Sequence, residues 1–411
     1  MVKRHVLNVI NLWGVLTFGS LLGCGSCDAG AVVPEPRRSL EEWRADLRHD
    51  VIVANIPDSI FDEAMKGFEP DDRIIIAAKT QPELTVAIED YLERAVSSTR
   101  IATGQNMIAH HRDLFDRLET HYGVDRYILA AIWGIETSYG KYQGRYNVVH
   151  ALATLDYEGR RRTFARKQLI AALQILNQGH IAPEHMKGSW AGAMGHPQFI
   201  PTSYHAYAQD FDGVEGEDIW GSIPDALASA ANYLKKSGWR TGQPWGYEVH
   251  VPEGFEYSLA DSVVHKNLQE WDALGVSPYE TDSEGRVREH TASLFLPAGH
   301  RGPAFLTFDN FRVILRYNNS TSYALAVGHL ADRLRGRDII RGRWPDNASP
   351  LKREERKTLQ RLLSAQGYDI GAIDGIIGTK TRAAIRHWQK AHGEPADGFP
   401  TVLTLNKIKN D

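Results

Sequence analysis

The sequence predicts a mainly α-helical fold of the α+β class, with a small β-sheet on a large helical domain and a small three-helix domain at the C-terminus. Helical spacing of apolar residues recurs as far as Lys236, whereas the alternation typical of strands is confined to residues 245–317. A proline-containing stretch then precedes a second helical region. We therefore place the large domain at residues 36–335, a linker at 336–350 and the small domain at 351–411.

The helical pattern of the large domain begins at Leu40. Alternating apolar residues predict strands around Val249 and Leu294, between glycines and prolines that mark turns. The other helices predicted for this domain are Gln105–Tyr122, Tyr127–Ile135, Arg162–Leu176, Asp225–Lys236 and Ser322–Leu334.

The small domain starts with an amphipathic helix around Leu359, which Gly367 is expected to end. We expect Thr379 to cap a second helix that buries Trp388, and a third short helix to contain Leu405. A domain of about 60 residues is near the lower size limit for independent folding. It contains no candidate catalytic cluster.

The first 31 residues are typical of an export signal and tether, with a basic start before the mostly apolar stretch Val6–Leu22. Leu22-Gly23-Cys24 resembles the end of a lipoprotein box. We therefore expect a lipid on Cys24 and a periplasmic protein anchored to the outer membrane. The alternatives are plain secretion after cleavage at Ala31, which gives a soluble periplasmic protein, and an uncleaved anchor at the short limit of a membrane span.

The composition excludes several classes of protein. Lys and Arg number 47 against 51 Asp and Glu, so no global positive field favours nucleic acid as a partner. With 42% hydrophobic and 24% charged residues, the chain is neither disordered nor a multi-spanning membrane protein. Both cysteines, Cys24 and Cys27, precede the predicted domains, which therefore contain no disulfide and no cysteine metal site.

A glutamate at the end of an apolar helix is the first candidate catalytic residue. The run Tyr127–Ile135 is apolar nearly all round, which predicts a buried helix, and Glu136 follows it. Burial makes a carboxylate costly to ionise, so the pKa of Glu136 should be raised, as suits a general acid near neutral pH. The alternative is a buried ion pair with Arg160, Arg161 or Arg162.

Glycines and prolines between residues 187 and 203 predict a tight loop in which Ser189 and Gln198 lie beside Trp190 and Phe199. Sugars present hydroxyls, amides and apolar faces together, so this mixture of polar and aromatic side chains is typical of a sugar-binding wall. Two successive structural turns would be the alternative.

Three runs of residues carry a more specific similarity: Trp133-Gly134-Ile135-Glu136-Thr137-Ser138-Tyr139-Gly140, Gly188-Ser189-Trp190-Ala191-Gly192-Ala193-Met194-Gly195 followed by Pro197-Gln198-Phe199, and Arg316-Tyr317-Asn318. These runs resemble the membrane-bound lytic transglycosylase B family, and the similarity spans residues 36–335. The resemblance implies a lysozyme-like fold and cleavage of the MurNAc-GlcNAc β-1,4 bond of peptidoglycan, with 1,6-anhydro-MurNAc ends as product. It places Glu136 at the catalytic acid and base.

The resemblance also implies which side chains bind the glycan. Ser189 and Gln198 match residues of the family that contact the substrate, and Phe199 lies beside them. The other implied substrate-binding residues are Tyr317, Tyr91 and Tyr233.

Most glycosidases use two carboxylates, but no second acid accompanies Glu136 in its motif. The resemblance implies that one suffices, because the C6 hydroxyl of the substrate attacks in place of water. A hydrolytic muramidase that uses the same glutamate is the enzymatic alternative. A non-catalytic peptidoglycan-binding scaffold is the alternative of another class.

Some members of the family bind calcium in a loop that corresponds to residues 210–218. Asp210 and Asp212 suit calcium, but Val214 and Gly221 stand at two further ligand positions. We therefore expect no metal and no other cofactor. His196 and Ile200 also depart from the family's motif.

The C-terminal run from Gly367 to Gln389 resembles the peptidoglycan-binding type 1 domain, over residues 351–411. This region contains 11 Lys and Arg against 7 Asp and Glu, an excess that suits an anionic polymer. We expect peptidoglycan strands as the main partner, with other cell-wall enzymes as candidate partners in turnover and remodelling.

Overall fold

The computed structural model describes residues 38–80, 86–159, 161–214, 216–279, 290–346 and 350–411. The predicted export signal, with Cys24 and Ala31, lies outside the described residues. The described chain forms two compact units. The loop unit comprises residues 38–80 and Glu136–Tyr233, and the sheet unit comprises the described parts of Pro82–Ile135 and Leu234–Asp411.

Helices dominate, and the predicted mainly α-helical class is confirmed. In the described ranges, each helix is too short or too polar to cross a lipid bilayer. The helices are α1 (Leu40–Val53), α2 (Asp58–Ala64), α3 (Asp72–Thr80), α4 (Ile88–Ala95), α5 (Ser98–His110), α6 (Arg112–Tyr122), α7 (Arg126–Thr137), α8 (Val148–Tyr157), α9 (Arg162–Gln178), α10 (Pro201–Tyr207), α11 (Ile223–Lys236), α12 (Leu268–Ala273), α13 (Asp309–Tyr317), α14 (Thr321–Arg335), α15 (Arg353–Ala365), α16 (Thr379–Ala391) and α17 (Val402–Lys409). The strands are β1 (Tyr146–Asn147), β2 (Lys187–Gly188), β3 (Gly246–His250), β4 (Lys266–Asn267), β5 (Ser277–Pro278), β6 (Thr291–Phe295) and β7 (Ala304–Thr307).

The loop unit is built around α9, against which α2, α8 and α10 pack. Trp43 is 2% exposed, and its indole N–H donates a hydrogen bond of 2.8 Å to Asp156. Arg166 of α9 reaches the same carboxylate at 2.7 Å. The Asp156 side chain is fully buried, and these charge-assisted contacts offset the free-energy cost of removing its charge from water.

The sheet unit contains a five-stranded antiparallel sheet in the order β4-β6-β7-β3-β5. The pairing of β3 with β7 aligns Val249 with Ala304, and both side chains belong to a core that also contains Trp271 and Phe308. In the helical part of this unit, α14 packs against α4, α5 and α13. The predicted strands around Val249 and Leu294 are therefore confirmed as the centre of a small sheet.

One predicted helix is wrong. Residues 105–122 belong to two helices, α5 and α6, which are separated at His111 with φ −104° and ψ 32°. The His111 ring lies edge-on to Trp133, with 6.2 Å between ring centroids. A tertiary contact rather than a glycine or proline accompanies this break, so the spacing pattern could not reveal it.

The C-terminal helices α15, α16 and α17 enclose a core that includes Leu359, Trp388 and Leu405, as predicted. The predicted cap of α16 is wrong by one residue. Gly378 has the extended backbone of an N-cap, at φ −84° and ψ −175°, and Thr379 is the first helical residue.

The small domain is joined to the rest of the sheet unit by what we call the docking contact, made of Asp261, His300, Arg386 and Asp397. The carboxylate of Asp397 accepts hydrogen bonds from the backbone N–H of His300 at 2.9 Å and from its ring Nδ1 at 2.7 Å. Arg386 forms an ion pair with Asp261. The preceding segment is also tied down, because the Glu248 carboxylate of β3 accepts the backbone N–H groups of residues 341 and 342.

Candidate active site

Helix α7 carries the predicted catalytic glutamate. Ile128, Leu129, Ile132 and Trp133 are each at most 4% exposed, so the helix is buried as its composition predicts. Glu136 lies one residue before the end of the helix and is partly exposed. The helix therefore places a proton-carrying group at the boundary between an apolar interior and solvent.

The chain leaves α7 through a strained turn. Ser138, Tyr139 and Gly140 all have positive φ, at 49°, 61° and 86°. For a residue other than glycine this backbone costs about 1–2 kcal/mol, so surrounding structure must hold the turn. The Thr137 hydroxyl accepts a hydrogen bond of 2.9 Å from the Gly140 N–H and donates one of 3.2 Å to the His196 carbonyl. These bonds join the turn to the loop at residues 188–199.

The loop at residues 188–199 folds back on itself. Met194 and Phe199 exchange two backbone hydrogen bonds, of 2.8 and 3.0 Å. Ser189 is 3% exposed, and its hydroxyl accepts the N–H groups of Ala191 at 3.1 Å and Ala193 at 3.0 Å. Because both acceptor positions are engaged, a contact of this hydroxyl with substrate would have to use its hydrogen.

Gln198 presents an unpaired acceptor in the same loop. It has φ 52° and is 9% exposed, and its amide nitrogen donates to the carbonyls of Gly195 at 2.6 Å and Gln143 at 3.1 Å. Among the described residues, none donates a hydrogen bond to Gln198 Oε1. Since buried acceptors are rarely left unpaired, a hydroxyl or amide N–H of a ligand is a suitable partner for this oxygen.

An aromatic cluster adjoins this loop. The ring centroids of Phe199 and Tyr233 are 5.9 Å apart, and Tyr207 lies 4.5 Å from Tyr233 and 6.4 Å from Phe199. The backbone carbonyl of Tyr207 accepts a hydrogen bond from the side chain of Asn232. The structure thus brings together two of the predicted substrate-binding residues, Phe199 and Tyr233, in the unit that contains Glu136 and Gln198.

The two remaining predicted residues belong to the sheet unit. Tyr91 lies in α4 and is 8% exposed. Tyr317 is the last residue of α13 and is partly exposed. Its neighbour Arg316 donates a hydrogen bond to the carbonyl of Ser237, which fixes the end of this helix.

The ion-pair alternative for Glu136 depends on three arginines. Arg160 lies outside the described residues. Arg162 forms an ion pair with Asp46 at 3.0 Å, and the guanidinium of Arg161 lies over the Phe164 ring at 4.6 Å. Both arginines thus have contacts within their own part of the loop unit.

Three aspartates form an acidic cluster in the loop unit. Oxygens of Asp210, Asp212 and Asp225 lie within 4.8 Å of one another. Asp225 accepts backbone N–H groups from three loop residues, and Asp212 accepts the Ser222 hydroxyl at 2.7 Å. Calcium requires six to eight oxygens. Three carboxylates that already hold the loop together fit this ion poorly, and the absence of a metal stays a prediction.

Thr137, Gln143 and Tyr207 were not singled out from the sequence. The bond from Gln198 to Gln143 spans 55 residues, and the bond from Thr137 to His196 spans 59. Spacing patterns report neighbours within one element and carry no signal for such contacts. Only Thr137 had an indirect signal, because it lies inside the run around Glu136.

Comparison with known proteins agrees with the family resemblance of the sequence motifs. The family described as "Transglycosylase SLT domain" matches residues 39–332, and the family described as "Putative peptidoglycan binding domain" matches residues 352–408. The chain is 31% identical over 246 residues to membrane-bound lytic murein transglycosylase B of Escherichia coli (strain K12), which covers 58% of this chain. The match spans 65% of the length of that relative.

Solved structures are also similar. SltB3 from Pseudomonas aeruginosa in complex with NAG-anhNAM-pentapeptide is 50% identical, with a TM-score of 0.87 over 90% of this chain and 100% of that one. The Escherichia coli lytic transglycosylase Slt35 in complex with calcium is 27% identical, with a TM-score of 0.60 over 71% of this chain and 92% of that one. The expected lysozyme-like architecture is therefore confirmed. With more than half of its length matched, the chain belongs to the transglycosylase SLT domain family.

Proposed function

We propose that this protein is a lytic transglycosylase that cleaves the MurNAc-GlcNAc β-1,4 bond of peptidoglycan without water and leaves 1,6-anhydro-MurNAc ends. The observation that carries this proposal is the position of Glu136. It is partly exposed at the end of a buried helix, and a turn that bonds to the 188–199 loop follows it. The relative SltB3 was solved with a NAG-anhNAM-pentapeptide, a compound of the product class.

In the proposed reaction Glu136 acts first as an acid and then as a base. Its carboxyl group protonates the glycosidic oxygen, and the C1–O bond breaks while the acetamido group of the substrate stabilises the positive charge at C1. The resulting carboxylate takes the proton from the C6 hydroxyl, whose oxygen bonds to C1. Because attacker and acceptor belong to one sugar, the closure is intramolecular and needs no second carboxylate to activate water.

The proposed substrate-binding residues supply two kinds of contact. Gln198 offers its unpaired Oε1 to a donor on the sugar, and Ser189 offers its hydroxyl hydrogen. Phe199 and Tyr233 present adjoining rings to the apolar face of a sugar. Tyr91 and Tyr317 are proposed as further contacts on the strength of the resemblance.

The analysis of digested murein tests the reaction. Wild-type protein should release muropeptides whose ends are one water lighter than reducing ends, measured by mass spectrometry. Glu136→Gln should release none while retaining its melting temperature and its sedimentation with sacculi. Reducing ends alone would identify a muramidase, and a Glu136→Gln variant that still releases muropeptides would contradict the role of Glu136.

We further propose that residues 351–411 bind peptidoglycan and that the protein works in the periplasm with a lipid on Cys24. Two binding modules on one chain raise the local concentration of substrate at the second module. Cys24→Ala should abolish labelling with a palmitate analogue and release the protein from the membrane fraction, whereas Cys27→Ala should change neither. A wild-type protein without label would indicate plain secretion, and labelling of Cys24→Ala at the level of Cys27→Ala would contradict a lipid on Cys24.

A further inference from the structure

We propose that His196 is a positioning residue, whose buried imidazole holds the turn that follows Glu136 in the geometry needed for proton transfer. This inference rests on the proposed function. His196 is one of the positions at which the sequence departs from the motif of its family, so the motif alone assigns it no role.

The side chain of His196 is packed against the turn. It is 7% exposed, and a Cβ at position 140 would lie 2.1 Å from its Cε1 and 2.5 Å from its Nδ1. The ring therefore occupies the space that a side chain at Gly140 would need. Since Gly140 also has φ 86°, the turn and the imidazole fit together only with glycine at this position.

The backbone of His196 is fixed on both sides of the ring. Its carbonyl accepts the Thr137 hydroxyl at 3.2 Å, and its N–H donates to the Ile219 carbonyl at 2.9 Å. The imidazole also forms a hydrogen bond with the backbone of Trp220, whose carbonyl accepts the side-chain amide of Gln143 at 3.0 Å. His196 thus links the turn after α7, the 188–199 loop and the segment at residues 218–220.

The ring is also suited to this position by its charge. Burial lowers the pKa of His196, while the Trp220 backbone and the carboxylate of Asp218 act in the opposite direction. The net lowering keeps the imidazole neutral near pH 7, so no buried positive charge lies against the turn. A neutral ring with one N–H group can anchor the turn without introducing an ion that needs a partner.

Two substitutions separate positioning from simple space filling. His196→Leu fills much of the same volume but removes the bond to Trp220, and a small displacement of the glutamate should lower kcat by about 10-fold to 100-fold. The KM for defined murein strands should change by less than about three-fold, because the binding residues stay in place. His196→Gln restores an N–H donor and should recover kcat to within about three-fold of wild type.

The control is His205→Ala in α10 of the same unit. His205 is exposed, and its ring bonds to the Ala171 carbonyl and lies edge-on to Tyr204. Neither contact involves the turn after α7, so kcat should stay at the wild-type value. A folded His196→Leu variant with wild-type kcat, or one that loses affinity and kcat alike, overturns the inference. If His196→Leu does not fold, His196→Gln decides: wild-type kcat supports the inference and a ten-fold loss overturns it.

The proposed function fails separately from this inference. Activity in Glu136→Gln removes the glutamate from the reaction, whatever His196 does. An inactive Glu136→Gln together with a fully active His196→Leu leaves the proposed function intact and removes only the role of His196.

Discussion

Asp156 illustrates how much one buried charge contributes to the stability of the loop unit. Its fully buried carboxylate accepts hydrogen bonds from Trp43 and Arg166. We expect Asp156→Ala to lower the free energy of unfolding by about 2–3 kcal/mol, because it leaves the buried indole N–H of Trp43 without its acceptor. Arg166 keeps its ion pairs with Asp46 and Asp50, which limits the loss. Urea denaturation followed by circular dichroism measures the change.

The matched control for Asp156→Ala is Asp62→Ala, which removes one partner from an ion pair with Arg48. The Asp62 side chain is 62% exposed, so the loss should stay below about 1 kcal/mol. Equal losses in the two variants would show that burial of Asp156 does not set its contribution.

Two titratable residues on α14 predict opposite effects of acid on stability. Burial lowers the pKa of His329 to about 4, and burial raises the pKa of Asp332 to about 6. In the unfolded chain, His329 has a pKa of about 6.5 and binds its proton at a higher pH than in the folded protein. This residue therefore destabilises the fold as pH falls from 6.5 to 4. Folded Asp332 binds its proton before the unfolded chain does, so it favours the fold as pH falls from 6.

Each effect can be removed by one substitution. As the pH is lowered from 7 to 4.5, the melting temperature of His329→Gln should rise relative to that of wild type. Over the same interval, the melting temperature of Asp332→Asn should fall relative to that of wild type. Differential scanning calorimetry at several pH values measures both. A pH-independent difference from wild type for either variant would contradict the corresponding pKa.

At the residue scale, the sequence revealed side chains whose role depends on their own segment. Glu136 was predicted as the catalytic residue because the helix before it is apolar on nearly every side, and the structure buries that helix. The engagement of the Ser189 hydroxyl with Ala191 and Ala193 was not foreseen, because a serine in a glycine-rich loop can turn either toward the backbone or toward a ligand.

At the scale of elements, the acidic loop before α11 predicts independence from calcium. Asp212 and Asp225 bind loop N–H groups and a serine hydroxyl, while Val214 offers no side-chain oxygen. Because a ligand raises stability only if it binds the folded state, the melting temperature should be the same in 5 mM CaCl₂ and in EDTA, to within about 1 °C. A larger increase that Asp212→Asn abolishes would show that the loop binds the ion.

The ends of a helix could be predicted where residues of the helix itself determine them. They could not be predicted where a contact with another helix determines them. Helix α1 begins at Leu40 as expected, because Ser39 and Glu42 form a capping box that is visible in the sequence. The break between α5 and α6 was missed, since the contact of His111 with Trp133 joins residues from different helices.

At the scale of the whole chain, the docking contact predicts that the small domain and the rest of the sheet unit unfold together. Asp397 is buried against His300, and Arg386 also donates to the Ala260 carbonyl at 3.1 Å. A domain of about 60 residues has little stability of its own. In wild type, calorimetry should show no separate transition for residues 351–411, whereas Asp261→Ala combined with His300→Ala should create one at lower temperature.

The control for this double variant is Lys380→Ala, which removes an ion pair on the exposed surface of the small domain. The Lys380 side chain is 64% exposed, so the thermogram should keep its wild-type form. A double variant that also keeps that form would show that the docking contact does not couple the two regions. The sequence predicted a linker here, but spacing could not show that Glu248 fastens it.

The left-handed turn of Ser138, Tyr139 and Gly140 affects when, during folding, the region around Glu136 reaches its final geometry. An unfolded chain rarely adopts this turn, because the turn costs free energy until the loop at residues 188–199 forms its hydrogen bond with Thr137. A partly synthesised or partly folded chain therefore contains Glu136 without the turn that follows it in the folded protein. If the proposed function holds, activity arises only at the end of folding, which gives the protein a period of latency without a separate inhibitor.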